Sequence, residues 1–273
     1  MTKPVLSATG LKDFEICARR FQLRYMAEQP WPAVSAEPLS DHEVHARRGI
    51  QLHHIVERYF SGIAPDTLSR MIDDPVVRRW WDAFQAHAPV DIDSNRVFLP
   101  ERHLQCSIGD YRLSAVVDLL VLDKENRSIS IFDWKTTRRV PDEADYHAAI
   151  QTRIYQYVVA ETSQAFFSQF EELDRLKMIY WFPVYPDRSI TITYSDTTHQ
   201  QNRSWLVEQI KAIEAHLDTS EAAWPKTEAL HHCRFCNYRS LCNRESLHVL
   251  KTDQDELDIE IDIVNRNGDY GQI

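Results

Sequence analysis

The sequence holds 273 residues, 41 acidic against 31 basic, for a net charge of −10 at pH 7. With 43% hydrophobic and 26% charged residues it is too apolar for a disordered chain and too charged for a membrane protein, and only 6 glycines argue against Gly-rich nucleotide loops and repeat folds. The acidity disfavours a nucleic-acid binder, because phosphates require a positive surface.

The N-terminal MTKPVLSATG carries no apolar signal core, and the richest short apolar stretch, 115–122, is broken by Asp118. A soluble, cytoplasmic protein without membrane contact is expected, with its five cysteines reduced. Ser7 is placed to N-cap a helix that carries Phe14, Cys17 and Phe21 on one face, followed by an aromatic loop around Trp31. A second helix reads from about His42 to Phe60. Pro75 opens a third, whose apolar side of Val76, Val77, Trp80, Trp81 and Phe84 reads as core.

From Arg96 the pattern changes to strands. Segments 96–108, 111–122 and 128–134 alternate and are parted by short turns at Gly109-Asp110 and 123–127, which predicts an antiparallel meander. A helix over about 141–161 follows, then a strand pair at 176–185 and 189–194 turning at Pro186-Asp187. A long helix, about 197–217, leads to a Cys-rich segment and an acidic tail. The order predicts an α/β fold, a mixed sheet with helices before and after it. One domain over 1–252 is expected, with 60–95 as a helical elaboration.

Two groups of residues carry chemistry. Cys233-x2-Cys236-x5-Cys242 places three thiols within ten residues, and Cys17 lies in the first helix. Such spacing suits a soft metal centre, either an iron–sulfur cluster or a zinc completed by His232 or Cys17. Cys106, alone in a strand, reads as packing. In the second group, Asp133 and Lys135 share one face of a strand end while Trp134 points opposite, and Asp118 comes from the adjacent strand. Carboxylates there would hold Mg²⁺ or Mn²⁺ for phosphodiester hydrolysis, and a nearby Lys would orient water and offset charge on the phosphate. Gly49, His53 and Glu57 recur on one helix face, as do Gln151 and Tyr155 on another.

In this order the residues resemble the PD-(D/E)xK nuclease superfamily, and within it the RecB-type branch with an iron–sulfur cluster, including CRISPR-associated iron–sulfur exonucleases and AddB-type nucleases. The motifs run Cys17-Ala18-Arg19-Arg20-Phe21, Gly49-x3-His53-x3-Glu57, Asp118, Asp133-x-Lys135, Gln151-x3-Tyr155 and the cysteine trio. Ala18 replaces a frequent Pro and Ala115 a frequent Gly; neither removes a ligand. The resemblance implies a restriction-endonuclease-like mixed sheet flanked by helices. It implies that His53, Asp118, Asp133 and the Trp134 carbonyl bind the divalent metal and that Lys135 is catalytic. Gln151 and Tyr155 would line the DNA path. Cys17, Cys233, Cys236 and Cys242 would hold a [4Fe–4S] cluster, joining segments 7–28 and 228–245. The expected function is a DNA exonuclease on single-stranded ends, in repair, recombination or CRISPR adaptation, with a helicase or CRISPR adaptation proteins as partners. The alternative is an iron–sulfur DNA-end-binding or adaptor module with little activity of its own.

The resemblance returns the question to the charge. Residues 253–273 hold seven acids and one base, a net of −6 that leaves −4 for the rest. Alternating Leu257, Ile259, Ile261 and Ile263 with acids, the tail reads as an edge strand with one wet face. Basic residues gather beside the motifs at Arg19, Arg20 and Arg24, at Arg47 and Arg48, and at Arg138 and Arg139, as phosphate contacts.

Overall fold

A computed structural model describes residues 3–29, 41–167, 175–217, 224–233 and 236–244; the Trp31 loop and the acidic tail from 253 onward lie outside the described residues. The predicted meander forms as β2 (Arg96–Ile108), β3 (Tyr111–Asp123) and β4 (Ser128–Trp134). Its first turn uses Gly109 at φ +56, the left-handed conformation that a two-residue hairpin needs. β5 (Leu176–Trp181) runs parallel to β4, and β6 (Ser189–Thr193) antiparallel to β5. A two-residue strand, β1 (Val5–Leu6), adds in parallel to β3 at Arg112 and Leu113. Two residues are too few to show a period, so this strand has no sequence signal.

The first helix, α1 (Ala8–Ile16), is capped by the Ser7 hydroxyl, which accepts from the Gly10 N–H at 3.1 Å. It does not run on to Phe21 as expected. Cys17 takes an extended conformation (φ −163, ψ 109), and α2 (Ala18–Phe21) restarts after it, with the Arg19 N–H bonded to the Pro225 carbonyl. A segment distant in sequence thus competes for the backbone at the break. α3 (Asp41–Phe60) matches expectation, and a short α4 (Pro65–Arg70) lies in the stretch expected as a helical elaboration. α5 (Pro75–His87) starts where Asp74 accepts from the N–H groups of Val76 and Val77. The helix expected over 141–161 is two, α6 (Glu143–Ala148) and α7 (Ile150–Thr162), parted at Ala149 with ψ 135. There the Thr152 hydroxyl donates to the Tyr146 carbonyl at 2.6 Å. α8 (Asp196–Leu217) closes the helical set, and no described helix is long and apolar enough to cross a membrane.

Helices cover both faces of this mixed sheet. On one face α1, α7 and α8 pack with Leu113, Ala115, Val117, Ile131 and Tyr180 into the main core. On the other, Leu52 and Val56 of α3 and Val77, Trp80, Trp81 and Phe84 of α5 pack on Leu119, Phe132, Trp134 and Trp181. The stretch expected as an elaboration therefore supplies one layer of a second core. Two of that core's four buried indoles are hydrogen-bonded: Trp81 donates to Ser69 Oγ at 2.9 Å and Trp181 to the Pro186 carbonyl at 3.0 Å.

Candidate active site

One edge of β3 is shared between two partners, β1 at 112–113 and β4 at 119–123. The site forms in the gap between them. Beyond Phe132, paired with Leu119, the next ladder donor is the Trp134 N–H, which goes to Asp118 Oδ2 at 2.8 Å. The Trp134 carbonyl accepts from His53 Nε2 at 3.0 Å, and His53 Nδ1 lies 3.4 Å from Asp118 Oδ1. One peptide thus joins α3, β3 and β4. Helix α3 reaches this depth because Gly49 lies against Thr136, whose Oγ1 would stand 3.0 Å from any Cβ at that position. His45 Nε2 donates to the Thr136 carbonyl at 2.6 Å on the same helix face.

Asp133 and Lys135 turn to the opposite side from Trp134, as alternation requires. Lys135 Nζ is 2.7 Å from Asp133 Oδ2 and donates to Gln151 Oε1 at 2.9 Å, while Gln151 Nε2 donates to Asp133 Oδ1 at 2.6 Å. The three side chains close a triangle, buried at 1%, 6% and 6% exposure. Tyr155 is buried one helical turn further on, and burial holds its phenol well above the ordinary value. Both residues of the expected DNA-path pair are thus buried, with Gln151 engaged by Asp133 and Lys135.

The structure adds a residue that sequence reading missed. Glu101, Asp118 and His53 each offer a ligand atom, all within 4.8 Å of one another. A signal was present: counting back from the Gly109-Asp110 turn places Glu101 opposite Asp118. Two carboxylates and an imidazole this close together are a donor set for a hard divalent cation, with Asp133 on the neighbouring strand.

Their electrostatics agree. Burial alone would lower His53, but the Asp118 carboxylate raises it to about 9. Burial and the Asp118 charge raise Glu101 to about 8. Burial lifts Asp133 to about 6, with Asp118 adding to it against the pull of Lys135. Asp118 is held below its ordinary value, burial being outweighed by His53. Stability tied to a raised value is complete below the ordinary one and lost as pH rises through the shifted one. From ordinary values of 3.8, 4.5 and 6.5 for Asp133, Glu101 and His53, the loss spans about pH 4 to about 9. Without a divalent cation the melting temperature should fall over that range by at least about 3 °C, the effect of ~1 kcal/mol in a chain of this size. Mg²⁺ should restore more of it the higher the pH. Thermal melts in EDTA and in Mg²⁺ check this; a cation-free melting temperature that climbs with pH would contradict the arrangement.

The cysteines form a second centre. Cys17, Cys233, Cys236 and Cys242 line one cavity together with His232, Arg20, Lys226, Arg239 and Arg244. Arg244 Nη1 donates to Cys233 Sγ at 3.0 Å, and Lys226 Nζ to the Cys242 carbonyl at 3.1 Å. Trp224 stacks on Phe21 with ring centroids 6.4 Å apart, holding the C-terminal segment to α2. Cys106 stands apart, packed against the main core, its thiol pushed up to about 12 by burial. The expected phosphate contacts need correction. Arg20 and Arg24 bind the fully buried Asp13 at 2.7 and 3.1 Å, and Arg48 pairs with Asp74 at 2.8 Å. Arg47, Arg138 and Arg139 are exposed.

Among solved structures, the chain is similar to the protein SSO0001, at 12% identity and TM-score 0.41, over 90% of this chain and 89% of that one. It is also similar to a protein of Eubacterium rectale provisionally named an exonuclease, at 13% identity and TM-score 0.47, over 93% and 92%. No curated protein matches the sequence. The sequence profile of the PD-(D/E)XK nuclease superfamily matches residues 5–243, from β1 through the last of the clustered cysteines. Fold, carboxylate site and profile thus cover the same stretch, and the chain belongs to the PD-(D/E)XK nuclease superfamily, metal-dependent hydrolases of phosphodiester bonds.

Proposed function

We propose that the chain is a DNA exonuclease of the RecB-type iron–sulfur branch, trimming single-stranded ends within one nuclease domain over 1–252. The observation that carries this is the pairing of Lys135 with Asp133 directly across the Trp134 peptide from His53 and Asp118. His53, Asp118 and Asp133, with the Trp134 carbonyl, would hold Mg²⁺ or Mn²⁺. When bound, that cation supplies Lewis acidity at the phosphate and makes water a better nucleophile. Lys135 would orient the attacking water and offset charge growing on the phosphate oxygens. Gln151 holds the Lys135 ammonium in place, and Tyr155, one turn further along the same helix, would line the DNA path with it.

Cys17, Cys233, Cys236 and Cys242 would hold a [4Fe–4S] cluster that ties segment 7–28 to segment 228–245. Partners by this reading are DNA ends and a helicase or CRISPR adaptation proteins.

Digestion of end-labelled single- and double-stranded DNA in Mg²⁺ or Mn²⁺ tests the reading. The expected result is stepwise loss of nucleotides from single-stranded ends, abolished by EDTA. Tight binding of ends with no turnover in any divalent metal would replace it with the adaptor reading.

A further inference from the structure

We propose that Glu101 is a further protein ligand of the divalent cation, brought into the site by a change of phase in two strands. The proposal rests on the metal-dependent nuclease reading of this site and extends its donor set. The β2–β3 register runs unbroken from Arg96↔Asp123 to Pro100↔Leu119 and again from Arg102↔Val117 to Ile108↔Tyr111, skipping only Glu101 opposite Asp118. At the skipped position Glu101 has φ +44, a left-handed backbone in mid-strand that a side chain with a Cβ disfavours.

The consequence is visible in the packing. On β3, Leu113, Ala115 and Val117 face the main core, yet so do Leu120 and Leu122, while Leu119 and Val121 join the second core. On β2, Leu104 and Ile108 face the main core with Val97 and Leu99 packed against it, whereas Phe98 packs against the second core. Alternation therefore slips by one residue on both strands, at Glu101 and at Asp118. The slip turns both carboxylates to the side of the sheet covered by α3, where His53 stands.

Glu101 is half-buried and makes no hydrogen bond or ion pair among the described residues, although it faces the Asp118 carboxylate. Strained backbone of this kind persists where the surroundings over-determine it and concentrates at functional sites. Asp133, by contrast, has both oxygens engaged, by Lys135 and Gln151. Glu101 is therefore the carboxylate with open lone pairs next to His53 and Asp118. A hard divalent cation bound by few protein ligands and several waters suits such a set.

Mn²⁺ binding followed by the loss of the free-ion EPR signal tests this without recourse to activity. Glu101→Gln keeps shape and removes charge; Glu101→Asn adds a residue that tolerates positive φ. Both should fold, by circular dichroism, and bind Mn²⁺ about 10- to 100-fold more weakly than the parent chain, with a smaller Mn²⁺-induced rise in melting temperature. Undiminished Mn²⁺ affinity in both variants, with loss in Asp118→Asn, would overturn the assignment of Glu101 and leave the site intact. Failure of the parent chain to bind Mn²⁺ would overturn the site reading itself, and Glu101 with it.

Discussion

Replacing Lys135 by alanine is expected to lower Mg²⁺- or Mn²⁺-dependent digestion of labelled single-stranded DNA by roughly 10³-fold or more, the scale of losing a preorganised charge at a transition state. The same change leaves Asp133 buried without its cation partner, since the two lie 2.7 Å apart at 1% and 7% side-chain exposure. Breaking a buried pair from one side costs about 3 kcal/mol or more. That loss should be evident near pH 8 and shrink near pH 5, because Asp133, already raised to about 6, then takes up a proton. Asp133→Asn separates the two effects. The amide oxygen can still accept from Lys135 while its NH2 meets the Gln151 NH2, so the chain should fold with a modest loss of stability that does not depend on pH, while digestion disappears. Undiminished digestion by a clean preparation of either variant would sink the assignment of the site.

The second large effect concerns the cysteine cavity. Under the proposed cluster assignment the parent chain is expected to be brown and to bleach on reduction, and Cys17→Ser to be colourless, without bound iron or sulfide. A link from Cys17 to Cys233 encloses roughly 215 residues, and closure on that scale is worth about 5 kcal/mol in the chain-entropy model. Loss of the cluster should therefore lower the melting temperature sharply and release the 224–244 segment from α1 and α2. Trp224 stacked on Phe21 gives a fluorescence probe of that release. Cys106→Ser, in a thiol packed against the core and away from the cavity, should stay brown. A colourless parent chain holding one zinc per molecule would overturn the cluster assignment.

Where local pattern was strong, reading it was enough. The strands 96–108 and 128–134 match their structural bounds, and α3 begins one residue before its expected start, because period-2 and period-3.6 burial are written directly into residue order. The differences fall where a side chain or a distant segment takes over a backbone group. Cys17 breaks a continuous apolar stripe while Pro225 bonds the Arg19 N–H, and Ala149 interrupts a helix whose Tyr146 carbonyl is taken by the Thr152 hydroxyl. Neither break carries a glycine or proline to announce it. The arginines beside the first motif read as free charges, whereas Asp13, apolar in neither type nor position, is buried and binds two of them.

By itself, then, the sequence determined the kinds of element, their order, and which side chains were candidates: His53, Asp118, Asp133, Lys135 and four of the five cysteines. These follow from residue type and short spacing, which local sterics and burial translate into structure. Only the tertiary structure decided how the candidates are divided. It placed His53 and Asp118 around one peptide, locked Asp133 with Lys135 and Gln151, gathered the cysteines at one cavity, and brought in Glu101. The physical reason lies in β2 and β3. Ideal alternation predicts one face for each residue, but a left-handed residue at 101 shifts the phase of both strands, and packing on both faces of the sheet holds that shift in place.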